Sequence, residues 1–413
     1  MKRAVVLSGG GAKGAYEIGV WKALRRLSIN YDIVCGTSVG ALNGVLMVQK
    51  DYFKALKLWY YMDYSKVIDT EIKKKYASKK GKEEILGKYA KGALKGGLEL
   101  SGLSQVIDKV LNKDKFFKSD INYGLVTTHF PSFKPKLVKK SDLTKDDVKS
   151  YMLASASCFP TFKPTKIDKN LYIDGGYYDN MPINLAVSMG ADEVIAVDLK
   201  AVGMVREVKD KDVKITYITP KNDLGNFLAF EKDYSRKAIS FGYNDTMKVY
   251  KMLDGNIYTF KKGSLDRNYK RVHDKFNYYM DLYLNKVAKL KFKKITLNDN
   301  TKYFNDVLEN TLKAFNIDES KIYRASFANV LIKKEFLKCE IKKFNTIKKA
   351  IKNNSLKKAF VSKELICYIH NEIEKENKKI INDLAIMFPN AFLCALYIKT
   401  IGGKIWITLK SHV

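Results

Sequence analysis

Histidine is scarce in this chain, with four in 413 residues: His129, His273, His370 and His412. None stands at a glycine turn or a strand end, and three fall in the second half. A serine–histidine–aspartate relay is therefore disfavoured on inventory alone. The five cysteines, Cys35, Cys158, Cys339, Cys367 and Cys394, show no paired spacing, which predicts free thiols in a reducing compartment. No apolar run reaches the ~18 residues that a membrane-spanning helix needs. The apolar stretch after Met1-Lys2-Arg3 is too short for a secretory signal, so a cytoplasmic protein is expected. No compact set of His, Cys and carboxylate residues has metal-ligand spacing, and neither a metal nor a cofactor is expected.

Arginine is also scarce, with eight among 75 basic residues. That scarcity, with no helix-turn-helix, zinc-finger or aromatic RNA-binding signature, argues against a nucleic-acid partner. The formal net charge is nevertheless +31. It is spread out: residues 251–413 carry 33 basic and 16 acidic side chains, and the rest carries 42 and 28, so no basic tail explains it. Such a surface favours peripheral contact with anionic membranes. Hydrophobic residues make up 46%, enough for a sizeable core, and the length suits two domains or one domain with an appendage.

What is present concentrates near the N-terminus. Ala4-Val5-Val6-Leu7 runs into Ser8-Gly9-Gly10-Gly11-Ala12-Lys13-Gly14, a β-type run followed by a glycine loop and a helical pattern. Ile33-Val34-Cys35 then leads into Gly36-Thr37-Ser38-Val39-Gly40, a G-x-S-x-G turn ahead of the helical run Ala41–Val48. Gly36 and Gly40 permit the sharp strand-to-helix turn that exposes a serine hydroxyl, here Ser38. The glycine loop offers backbone N–H groups unobstructed by side chains at a helix start, suited to holding a developing oxyanion. A third motif, Tyr172-Ile173-Asp174-Gly175-Gly176, ends a β-type run in a carboxylate and two glycines. Taken alone, Asp174 reads equally as a turn residue.

The spacing Gly9-x-Gly11-x-x-Gly14 also fits a dinucleotide fingerprint. That reading wants an acidic residue at the end of the second strand, where this chain has Gly36-Thr37-Ser38; Asp32 precedes the strand. A P-loop is excluded because Ala15 follows Gly14 where a lysine is required.

On these motifs and in this order, roughly residues 1–250 resemble the patatin-like phospholipase family, with its glycine-rich oxyanion loop, its G-x-S-x-G serine and its D-G-[AG] aspartate. The Ala154–Pro160 stretch and Asp179-Asn180-Met181-Pro182 are similar to the family as well. The resemblance implies a three-layer α/β fold and a Ser38–Asp174 dyad hydrolysing acyl esters of phospholipids through an acyl-enzyme, without a cofactor. A free aspartate, with a pKa of about 3.9, is a weak base near neutrality. Either burial among Leu171, Ile173, Tyr177 and Tyr178 raises it, or the proton moves only as Ser38 attacks. Gly10 and Gly11 are the leading oxyanion donors, with Gly9 beside them, and Gly14 lets the following helix approach the sheet. Lys13 reads as an anion contact or as a solvated lysine at a helix start. Two alternatives stay open: a transacylase or neutral-lipid esterase with the same site, and a basic membrane-binding module with little catalysis.

Alternating strands and helices predict an α/β domain over 1–250, with a mostly parallel sheet and helices on both faces. Residues 51–118 interrupt it as an insertion, a cap over the serine or ordinary helical packing. Residues 213–219 are expected as a strand and 226–252 as a helix. Residues 251–413 are expected to be lysine-rich and mainly helical, with a short strand at 255–260, helical spacing over 269–291 and 371–387, and a β-hairpin over 391–409.

Overall fold

A computed structural model describes residues 1–63, 97–289, 292, 300–339 and 361–402. The chain divides into two units, Met1–Val249 and Tyr250–Val413. In the first, the order is β1 (Arg3–Leu7), α1 (Ala15–Arg26), β2 (Ile33–Thr37), α2 (Val39–Val48), α3 (Tyr52–Tyr60), α4 (Ser101–Val110), α5 (Lys113–Lys118), β3 (Asn122–Phe130), β4 (Pro135–Lys139), α6 (Val148–Ser155), β5 (Thr165–Ile167), β6 (Asn170–Asp174), α7 (Ile183–Ser188), β7 (Glu193–Val197), β8 (Lys214–Ile218) and α8 (Lys232–Val249).

The strands form one sheet in the order β5-β6-β3-β2-β1-β7-β8, with β4 added to β3. From β3 through β2, β1 and β7 to β8 every pairing is parallel. The strands β4, β5 and β6 join antiparallel. β2 and β7 are buried along their whole length, as a parallel sheet covered on both faces requires. On one face Ala4, Val6, Ile33 and Cys35 pack with Ile183, Leu185 and Ala186 of α7. On the other, α2 crosses β2 so closely that a Cβ on Gly44 would touch Val34 and Tyr123. This is the α/β class read from the sequence, with antiparallel strands along one edge.

Of the predicted insertion, the described parts are α3, α4 and α5; residues 64–96 lie outside the described residues. Trp59 is buried, whereas Tyr60 and Tyr61 are exposed.

The second unit opens with β9 (Leu253–Asp254) and β10 (Thr259–Lys261), followed by α9 (Ser264–Tyr283), α10 (Asn300–Ala314), β11 (Ile322–Tyr323), α11 (Ala325–Leu337), α12 (Lys363–Glu374), α13 (Lys378–Met387) and α14 (Pro389–Gly402). β10 pairs antiparallel with β9 and parallel with β11. α14 is the core: Ala391 to Ile398 are all buried, and helices α9 to α13 pack around it.

The hairpin expected at 391–409 is therefore corrected over its described part. Phe392-Leu393-Cys394-Ala395-Leu396-Tyr397-Ile398 is a continuous apolar run with no period, which looks alike as a buried strand or a buried helix. Residues 403–409 lie outside the described residues. The cysteine reading is corrected too. Cys339 and Cys367 form a disulfide across 28 residues, while Cys35, Cys158 and Cys394 are free. Such a long separation leaves no local sequence pattern.

Candidate active site

Ser38 and Asp174 are far apart in sequence, and β3 brings them together. β2 pairs with β3 so that Thr37 lies beside Val126, and β6 pairs with β3 so that Asp174 lies beside Thr127. The residue following β2 and the last residue of β6 thus flank adjacent positions of one central strand. Ser38 stands close enough to Asp174 for its side chain to lower the carboxylate's pKa.

The turn at Ser38 is tight. Its backbone takes φ 55°, ψ −125°, a conformation that costs a non-glycine residue about 1–3 kcal/mol. A Cβ on Gly36 would lie 2.4 Å from the carbonyl of Gly40, and one on Gly40 would lie 2.3 Å from the carbonyl oxygen of Leu7. The strand end and the helix start pass at backbone contact, so both positions exclude a side chain. The turn is held from outside as well. The Ser38 N–H donates to Ser155 Oγ at 2.9 Å, and Ser155 Oγ donates to the Val126 carbonyl at 2.7 Å. Thr37 Oγ1 donates to the Asp179 carbonyl at 2.8 Å.

Asp174 is fixed by its own turn. Its N–H donates to the Ser157 carbonyl at 2.9 Å, and one carboxylate oxygen accepts the Gly176 N–H at 2.8 Å. A Cβ on Gly175 would meet the Val126 carbonyl oxygen at 2.2 Å. Only 6% of Asp174 is exposed. Burial raises its pKa from the ordinary 3.8 to about 6, against the opposing influence of the Ser38 side chain and the Gly176 N–H. Asp179 is likewise raised to about 6 by burial, against hydrogen bonds from Arg206 and Met181. Cys158, beside the site, has its thiol pushed up to about 12 by burial and by Asp174.

The glycine loop divides its amides. Gly9 N–H donates to the Asn180 carbonyl at 3.1 Å, and Ala12 N–H to the Phe227 carbonyl at 2.7 Å. Among the described residues no acceptor engages Gly10 or Gly11 N–H. Gly11 takes φ 55°, and a Cβ there would lie 2.3 Å from the Phe227 carbonyl oxygen, so only glycine fits. Gly14 lies where a Cβ would meet Val39 at 2.5 Å. The Lys13 ammonium lies 3.5 Å from the Lys200 carbonyl, away from the cavity wall.

Ser38, Asp174, Gly10, Gly11 and Gly176 line one cavity of about 580 Å³. Its walls come from α2, α3, α4 and the 201–204 and 227–230 segments and are mostly Leu, Val, Ile, Met and Phe. Among the described residues no histidine lines it: His129 lies on β3 bonded to Ser132 at 2.7 Å, His273 and His370 belong to the second unit, and His412 lies outside the described residues.

Three supporting residues carried no signal that sequence reasoning weighed. Ser155 holds the elbow. Asn180 ties the glycine loop to the aspartate loop, its Nδ2 donating to the Gly9 carbonyl at 3.3 Å. Asn43 accepts the Trp59 indole N–H at 2.8 Å and donates to Glu17 at 2.7 Å, so a buried polar network pins α3 against α1 and α2. Ser155 and Asn180 fall in stretches noted for their resemblance, but single polar residues do not announce which backbone group they will meet.

Comparison with known proteins covers the same region. Residues 5–187 match the family model described as patatin-like phospholipase. Over 197 residues the chain is 30% identical to patatin-like phospholipase domain-containing protein 6 of Mus musculus, a match covering 48% of this chain and 13% of that protein. Over 201 residues it is 27% identical to lysophospholipase nte1 of Aspergillus terreus, covering 48% and 12%. The matched segment is thus about an eighth of the length of these relatives. The crystal structure of VipD from Legionella pneumophila aligns over 98% of this chain and 92% of that one, at 14% identity and a TM-score of 0.38.

Proposed function

We propose that the patatin-like phospholipase domain carried by residues 5–187 works as a serine acylhydrolase on phospholipids or related acyl-glycerides, with Ser38 as nucleophile and Asp174 as base. The observation that carries this reading is the meeting, on the wall of one apolar cavity, of a serine held at a strained elbow and a buried carboxylate whose pKa is about 6. A base with that pKa is mostly ionised at neutral pH yet far more basic than a free aspartate.

In the proposed reaction Ser38 Oγ attacks the ester carbonyl carbon while its proton passes to Asp174. The carbonyl oxygen becomes an oxyanion facing the unpaired N–H groups of Gly10 and Gly11, with the start of α2 adding positive potential. The C–O bond to the alcohol breaks, and the alcohol leaves with the proton from Asp174. Water then attacks the acyl-enzyme, giving one proton to Asp174. That proton returns to Ser38 Oγ as the fatty acid departs. The apolar cavity suits an acyl chain. Labelling with a fluorophosphonate and mapping the adduct tests the assignment: modification at Ser38 is expected, and folded protein that resists the reagent or carries it elsewhere would refute it.

Two further results are expected. With a soluble ester, kcat/KM should rise with pH through about 6 and level off above it, falling about tenfold one pH unit below the midpoint. Because Asp179 titrates in the same range, Asp179→Asn should leave that midpoint in place; a profile that moves with Asp179 would assign the base elsewhere.

The second concerns the mouth of the cavity, where Val202 is 98% exposed and Met204 52% exposed. Apolar groups at the rim of an apolar cavity suit entry from a lipid surface. Val202→Asp should lower turnover of vesicle substrate by about tenfold and leave a soluble ester unaffected, because burying a carboxylate in the interface is costly. Equal losses on both substrates would contradict an interfacial role.

A further inference from the structure

Residues 250–413 contain thirty lysines and only three arginines, Arg267, Arg271 and Arg324. All three arginines line a single cavity of about 580 Å³ in the second unit. Topology gathers them there. β10 and β11 run parallel with Phe260 beside Tyr323, so Lys261 and Arg324 leave the two strand ends side by side. α9 starts just beyond, and its positions 264, 267, 268 and 271 form one stripe at helical spacing, all of it on the cavity wall. α11 begins at the residue after Arg324. Two helix N-termini and five cationic side chains, Lys261, Lys262, Arg267, Arg271 and Arg324, therefore meet at one place.

The floor is built from buried polar groups. Ser264 Oγ accepts the Ala325 N–H at 2.7 Å and joins the two helix starts. Asn268 donates to Tyr397 Oη at 2.9 Å, Tyr397 donates to Asn329 Oδ1 at 2.8 Å, and Asn329 donates back to Asn268 Oδ1 at 2.8 Å. This closed ring is buried, and Arg271 Nη2 donates into it at 3.3 Å. The neighbouring Asp254 is occupied: it pairs with Lys262 at 2.9 Å and accepts the Gly263 N–H at 2.6 Å. Among the described residues no carboxylate pairs with Lys261, Arg267, Arg271 or Arg324. Convergent cations left without a counter-charge repel one another unless a ligand supplies it. Burial, with Arg271 and Lys275 adding repulsion, also holds the nearby Lys333 below the usual lysine range.

We infer that this cavity binds a phosphomonoester, free or carried on a lipid headgroup. A dianionic group with three terminal oxygens matches several guanidinium forks and two helix starts, whereas a phosphodiester offers one charge and two free oxygens. Choosing arginine in a region where lysine outnumbers it tenfold points to directional hydrogen bonding, because lysine would supply charge equally well.

The test uses the full chain and measures its binding to phosphatidylcholine vesicles containing phosphatidic acid or, at matched surface charge, phosphatidylglycerol, and to soluble glycerol 3-phosphate. Preference for phosphatidic acid is expected if the group sits on a lipid, and binding of glycerol 3-phosphate with no such preference if it is free. The double variant Arg267→Lys, Arg324→Lys keeps the charge and should weaken phosphomonoester binding about tenfold, as loss of a charge-assisted hydrogen bond does. Lys378→Ala with Lys379→Ala, which removes two exposed charges elsewhere in this unit, should leave the preference intact. Overturning results are equal affinity for both lipids with no binding of glycerol 3-phosphate, an equal loss in the lysine control, or tighter binding of a single-stranded oligonucleotide than of either phosphomonoester.

Discussion

Ser38→Ala is expected to lower ester hydrolysis by roughly 10⁴-fold or more, since removing the nucleophile of a serine hydrolase leaves only the rate supplied by binding and oxyanion stabilisation. Asp174→Asn should cost about as much, because an amide cannot accept the serine proton. The two should not add: the double variant should be no slower than Ser38→Ala alone, as for residues that act as a unit. The measurement is turnover of a short-chain chromogenic ester, with circular dichroism showing that each variant is folded. Folding should survive, since Ser38 contributes its strained backbone to the elbow while Gly36, Gly40 and the Ser155 hydrogen bond hold the turn. If Ser38→Ala kept activity within about tenfold of the parent, the dyad would be wrong, and with it the reading of the cavity as a catalytic site.

The parts of this site that can be read along the chain are those whose chemistry is local. A serine between Gly36 and Gly40 and an aspartate ahead of Gly175-Gly176 announce a turn through their glycines, and the apolar runs before them announce strands. Their meeting cannot be read locally. It depends on β3 accepting β2 on one side and β6 on the other, in a register defined by Thr37 beside Val126 and Asp174 beside Thr127. Nothing in Asn122–Phe130 marks it as the strand between them. The division of labour within the glycine loop is also hidden, since Gly9 loses its amide to Asn180, a residue 171 positions away.

The second unit shows the same boundary from the opposite side. The helical spacing over 269–291 foretold a helix, and Ser264–Tyr283 is one. The buried helix Pro389–Gly402 escaped because an element apolar on every face has no period to read. The disulfide between Cys339 and Cys367, and the arginine cavity, are likewise products of tertiary contact between segments whose spacing carries no motif.

Asp174→Asn should also make the first unit more stable while it inactivates it. Raising a buried carboxylate from 3.8 to about 6 means that the folded state holds a charge it would shed more readily than the unfolded chain does, at roughly 3 kcal/mol near pH 8. The sign follows from the direction of the shift. A raised folded pKa favours the fold while the group is protonated, below the unfolded value, and that advantage is lost as pH climbs through about 6. Asparagine carries no charge at any pH and, through Oδ1, can still accept the Gly176 N–H and the Ser38 hydroxyl. The variant should therefore melt several degrees higher near pH 8, at ~2–4 °C per kcal/mol for a unit of this size, and converge with the parent near pH 4. Thermal unfolding across that range measures both ends. A parent at least as stable as the variant near pH 8, or a gain that persists undiminished near pH 4, would mean that the carboxylate is not held ionised against its environment, and the proposed base would lose its physical basis.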